Sequence, residues 1–161
     1  MELERETEFY YNWFKKYVSS FYCKDDNINR KLKDREEHTL RVLTYCRDLV
    51  SSIDTDEDIS ELLPIIALFH DIGRFKQFTT YGTFNDKESE DHADLGIRIL
   101  EESNILSPFS KRKVHLILNA IRLHNKKDLY KKSKDSKLIL LTKLIRKADK
   151  SDILRTSEKK I

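Results

Sequence analysis

An all-α fold, a compact bundle of about six helices, is what this sequence predicts. Only 3 Gly and 2 Pro occur in 161 residues, so breakers of regular structure are scarce. Charged residues make up 37% of the chain, enough to solvate the outer faces of long helices. Apolar residues recur at three- and four-residue intervals, the spacing of helix faces. A sheet protein of this length would need many more turn residues. The length suits one domain over residues 1–161.

Each element follows in order. Residues 5 to 21 carry Tyr10, Trp13, Phe14, Tyr17 and Phe21 at helical spacing, which predicts an aromatic helix within residues 1–22. The polar stretch from Lys24 to Lys33 reads as a loop or a frayed helix start. From Asp34, a good N-cap, a helix should run to Ser51 with Leu43, Cys46, Leu49 and Val50 inward. An acidic linker, Asp54 to Asp58, precedes the most apolar segment, Leu62 to Ile72. Apolarity alone suits a buried strand there, but the segment's length and its exit through Gly73 favour a buried helix. Pro64 is expected in the first turn, where a missing N–H costs least. Residues 74–88 hold Thr79, Thr80, Gly82 and Asn85, lack periodicity and read as the longest loop. Helices are expected over 89–102, 108–125 and 136–155, with a Lys-rich turn (Lys126 to Lys137) between the last two.

Composition excludes several classes. The 31 basic and 28 acidic residues nearly cancel at +3, which makes no case for bulk binding to nucleic acid. Cys23 and Cys46 do not make a disulfide framework and are expected as reduced thiols of a cytoplasmic protein. The N-terminus is acidic and aromatic, unlike a secretory leader. No apolar run approaches the roughly 18 residues of a membrane span.

The chemistry rests on five histidines: His38, His70, His92, His115 and His124. One histidine on a helix is more often a satisfied core or surface residue than a ligand, so only their joint arrangement carries an argument. His70 and Asp71 end the apolar run of Ile65, Ile66, Ala67, Leu68 and Phe69. An ionised Asp there is costly unless something compensates it, and imidazole beside carboxylate is half of a divalent metal site. His124 shares a stripe with Ile117, Ala120 and Ile121, whereas His115 falls about half a turn out of phase and is excluded. Asp149 follows Leu141, Ile145 and Ala148 on the inward side of the last helix. His38 precedes Val42 and Tyr45, and His92 opens a helix ahead of Leu95 and Ile99.

In order, His38, His70-Asp71 and Asp149 resemble the H…HD…D signature of the HD superfamily of metal-dependent phosphohydrolases. The resemblance covers roughly residues 30–155, which would form the core of one HD domain, and implies a helical bundle in which those four side chains hold a divalent cation. His70-Asp71-Ile72-Gly73-Arg74 is similar to the HDIGK/HDxGR form, in which the basic residue binds substrate phosphate, a role that would fall on Arg74. His92 and His124 match the extra histidines of two-metal subfamilies, and the stretch resembles HD-type diadenosine tetraphosphate hydrolases. The adjacent histidines and GYP signature of cyclic-di-GMP phosphodiesterases are missing. The chain ends at Ile161, sooner after Asp149 than the resemblance implies, where a final packing helix would be expected.

The resemblance implies a phosphohydrolase for a small nucleotide or related phosphoester, a phosphomonoesterase, phosphodiesterase or dinucleoside polyphosphate hydrolase. Its metal site would comprise His38, His70, Asp71, His92, His124 and Asp149, with Asp71 holding the attacking water and Arg74 on the phosphate. The mixed ligands suit one or two of Mn, Fe, Co, Ni or Zn. With one metal, His92 or His124 would instead serve as general acid. Tyr81, Gly82 and Phe84 suggest a base-stacking lid. The alternatives are a non-catalytic HD module that binds nucleotide or metal as sensor or scaffold, a plain helical interaction protein, and an oxygen-binding di-iron bundle. A scaffold needs none of the six ligands, and an oxygen-binding bundle calls for Glu and another ligand order.

Overall fold

A computed structural model of the chain describes residues 2–159; the reading of the chain's last residues lies outside it. Seven α-helices follow in sequence: α1 (Glu2–Ser19), α2 (Asp26–Ser52), α3 (Glu57–Phe69), α4 (Gly73–Tyr81), α5 (His92–Ser103), α6 (Lys111–Leu123) and α7 (Ser136–Lys159). Short 3-10 turns lie at Asp86–Glu88 and Leu129–Lys132, and the described residues contain no strand. The all-α expectation is borne out.

The most apolar segment becomes the central helix. Every residue of α3 from Leu62 to Phe69 is buried, and α1, α2, α6 and α7 all pack against it. Its start lies earlier than expected, because Asp56 caps it by accepting from the Ile59 N–H at 2.9 Å. Pro64 therefore sits in the helix interior, where α3 forgoes one backbone hydrogen bond to Ser60. The aromatic face of α1 buttresses this core from behind: Tyr10 and Trp13 meet Phe69 edge-on at 6.1 and 5.8 Å, and Phe14 meets Phe75 at 6.1 Å.

Two other boundaries move. Helix α2 begins at Asp26, capped by Asp25, so the polar stretch before Asp34 is helical. Its charged residues face solvent while Leu32 is fully buried, one apolar contact per turn being enough to extend the helix. Residues 74–88 are not one loop. Helix α4 occupies their first half, held by buried Phe75, Gln77 and Phe78 and ended by Gly82 at φ 71°. Its single buried stripe is too short to register as periodicity in the sequence.

Close packing of α4 on α5 positions the middle of the bundle. A Cβ on Gly73 would lie 2.2 Å from the His92 carbonyl oxygen and 2.8 Å from the Gly96 nitrogen. Only glycine permits that approach, which sets the first residue of α5 beside the turn that follows α3.

Candidate metal centre

Five elements deliver the six candidate ligands to one place. His38 projects from the middle of α2, and His70 and Asp71 occupy the turn between α3 and α4. His92 is the first residue of α5, His124 caps the end of α6, and Asp149 lies on α7. His115 is exposed on the opposite side of α6, as its phase requires.

All four imidazoles are oriented by their Nδ1 atoms. His70 donates to the Ala67 carbonyl and His124 to the Ile121 carbonyl, both at 2.6 Å. In each case the ring bonds a carbonyl of the last helical turn, three residues back along the chain, and the Ile121 carbonyl also accepts the His124 backbone N–H at 3.3 Å. His38 donates to Asp152 Oδ2 at 2.6 Å, and His92 donates to Asp86 Oδ2 at 2.9 Å. Carbonyls and carboxylates only accept here, so each Nδ1 carries a proton and Nε2 is the nitrogen left to offer a lone pair to a metal.

Those Nε2 atoms converge on Asp71 and Asp149. The Asp71 Oδ2 atom lies 3.5 Å from both His38 and His70, while Oδ1 lies 3.2 Å from His92 and 3.5 Å from His124. Asp149 Oδ1 is 2.9 Å from His38 and 3.4 Å from His70. Two groups result, His38–His70–Asp71–Asp149 and Asp71–His92–His124, with ligand atoms in each within 4.8 Å of one another. Asp71 belongs to both and turns one oxygen towards each.

The donor set fits a divalent transition metal. His38 and His70 Nε2 are buried without a hydrogen-bond partner, although carboxylate oxygens stand near them. His92 and His124 Nε2 face each other at 3.3 Å. Two ring nitrogens that close in a buried space need a proton or a cation between them, and imidazole with carboxylate matches transition-metal preference.

Electrostatics keep the carboxylates charged. Burial opposes ionisation of Asp71, which is 3% exposed, but the neighbouring His70, His124 and His92 hold its carboxyl well below the usual range. Burial is likewise outweighed at Asp149, by contacts from His38 and His70. For His70, burial disfavours the charged ring, yet Asp71 and Asp149 win and raise its pKa to about 9. Without metal that ring therefore holds an extra proton, which a metal must displace.

Two residues missing from the sequence reading support the rings. Asp152 accepts from His38 and, at 2.7 Å, from Arg41 Nε. Its signal was present, since Ile145, Asp149 and Asp152 share one stripe of α7. Asp86 accepts from His92, Gln77 and Arg74, and no periodicity announces it because it lies in an irregular segment.

Arg74 faces inward with its side chain 16% exposed. Its Nη1 donates to Gln77 at 3.0 Å, the Phe84 carbonyl at 2.5 Å and Asp86 at 3.1 Å, and its Nε is buried without a partner. Phe84 stacks on Phe78 at 4.6 Å and carries the Arg35 guanidinium at 5.1 Å, while Tyr81 donates to Glu90. The Phe84 ring is thus taken up by Phe78 and Arg35, whereas Tyr81 is exposed and engaged through its hydroxyl. Arg146, three residues before Asp149, caps the end of α6 through the His124 and Lys126 carbonyls.

Among known families, the model of the HD domain matches residues 35–154. Neither the curated proteins nor the solved structures yield a match. No helix among the described residues is long and apolar enough to cross a membrane.

Proposed function

Because the chain belongs to the HD-domain family, whose members are generally metal-dependent hydrolases, we propose that it hydrolyses a small nucleotide or related phosphoester. One observation carries the reading. Four imidazoles, each locked by its Nδ1 partner, aim Nε2 at the two oxygens of a buried carboxylate that two ligand groups share. A scaffold gains nothing from such an arrangement, which leaves buried polar atoms unsatisfied at a cost in stability.

In this proposal His38, His70, Asp71 and Asp149 hold one divalent metal, and Asp71, His92 and His124 hold a second. Manganese, iron, cobalt, nickel or zinc suits these donors. Bound there, the metals supply Lewis acidity that brings the pKa of water towards neutrality and offsets charge on phosphoryl oxygens. The protein's own groups do the rest. Asp152 and Asp86 fix two ring orientations, and the Ala67 and Ile121 carbonyls fix the other two. Burial around Asp71 strengthens each electrostatic interaction by excluding solvent.

The test is phosphate release from a panel of nucleotides and phosphoesters with Mn²⁺, comparing wild type with Asp71→Ala, alongside metal content. Hydrolysis of a defined substrate, lost on chelation and in the variant, supports the proposal. Stoichiometric metal with no hydrolysis of any panel member would overturn it in favour of a metal- or nucleotide-binding sensor.

A further inference from the structure

Resting on the phosphohydrolase reading, we propose that Arg35 is the residue that receives the substrate's phosphoryl oxygens, and that Arg74 is a positioning residue held inside the fold. The two guanidiniums differ in what they are free to do. Arg74 Nη1 already serves three acceptors. Moving it to a ligand would take a charged donor from Asp86, the acceptor that orients His92, and leave it Gln77 and His92. Arg35 makes one long contact to the centre, Nη1 to Asp71 Oδ2 at 3.4 Å, and its side chain remains 29% exposed. A contact of that length is cheap to exchange for a bidentate phosphate.

Position favours Arg35 as well. It lies one turn before His38 on α2, so both side chains leave the same helix face. With Lys31, His38, Phe84, Asp152 and Thr156, it lines a groove of about 590 Å³ that opens to solvent. A ligand in this groove meets His38 and the Arg35 guanidinium, whose Nη1 contacts Asp71. Phe84 gives that guanidinium a seat, since the ring is itself stacked on Phe78 and lies 5.1 Å from Arg35 Cζ. An aromatic face supports the flat side of the cation and leaves its N–H edge for the planar fork that phosphoryl oxygens match. The other cation on this wall close to the centre, Arg41, is committed to both oxygens of Asp152.

Binding of inorganic phosphate to the Mn²⁺-loaded full chain, measured by calorimetry, tests the assignment. Arg35→Ala should weaken phosphate about tenfold or more with metal content unchanged, and Arg35→Lys should restore it only in part, because lysine keeps the charge but loses the fork. Arg74→Ala should instead lower thermal stability and the metal held by the His92 group. Phosphate binding within about twofold of wild type in Arg35→Ala, loss of metal from that variant, or no phosphate binding by wild type each overturns the proposal. Hydrolysis run in parallel separates the two readings. Arg35-dependent phosphate binding without turnover sinks the hydrolase and keeps the assignment. Turnover with KM unchanged in Arg35→Ala does the reverse.

Discussion

His38 and Asp152 are joined by a 2.6 Å hydrogen bond from Nδ1 to Oδ2 that spans α2 and α7, and both side chains are buried. The bond sets which nitrogen of His38 is free, and it ties the ring to the helix that also carries Asp149. Asp152→Ala should therefore weaken metal binding by roughly 10–100-fold while helix content stays that of the wild type. Metal titration followed by circular dichroism checks this. An unchanged affinity would show that His38 is oriented without Asp152.

The sharing of Asp71 between two ligand groups predicts distinct stoichiometries. His92→Ala should halve the bound metal, because its group then keeps only Asp71 and His124. Asp71→Ala should deplete both positions. Elemental analysis of protein loaded with excess Mn²⁺ gives the count, and equal loss in the two variants would argue for a single shared ion.

Gly73 should tolerate no side chain. A Cβ there meets the His92 carbonyl at 2.2 Å, and backbone cannot yield as a flexible side chain does. Gly73→Ala should cost about 1–3 kcal/mol and displace His92 from Asp71, read as a lower melting temperature together with lost metal. Gly82→Ala, at a φ of 71° with open space around its Cβ, should cost about 1–2 kcal/mol from backbone strain alone and leave metal content intact.

The two cysteines should differ in reactivity. Burial pushes the Cys46 thiol up to about 12, so it carries no thiolate at neutral pH, while Cys23 is exposed. A thiol reagent should label Cys23 in the native protein and Cys46 only on unfolding. Rapid labelling of both under native conditions would mean that α2 opens near Cys46.

Asp135 offers a pH-dependent contribution away from the metal centre. It accepts from Arg112 at 2.5 and 3.0 Å and from the Leu138 N–H at 3.3 Å, linking α6 to the start of α7. The Arg112 hydrogen bond lowers its pKa from 3.8 to about 2 against a smaller effect of burial. A carboxyl depressed on folding contributes stability that is complete above 3.8 and is lost as pH falls through about 2. Asp135→Asn keeps a capping side chain but removes the charge. The melting-temperature gap between wild type and Asp135→Asn should be constant above pH 5 and close between about pH 4 and 2. A gap independent of pH would assign the effect to packing.

What the sequence determined by itself was the helical class, the order of six of the seven described helices and the six candidate ligands, because these depend on local spacing. Apolar periodicity put His124 and Asp149 on inward faces, and the lone apolar run ending in His70-Asp71 identified the buried helix. Tertiary structure decided the rest. Asp86 lies 6 residues from His92, yet only the folding of an irregular segment back onto α5 brings it to Nδ1. Asp152 reaches His38 across a separation of 114 residues, which no local pattern encodes. The contrast between Arg74 and Arg35 has the same origin. A guanidinium's availability depends on the acceptors that neighbouring elements bring to it, and those neighbours exist only once the chain has packed.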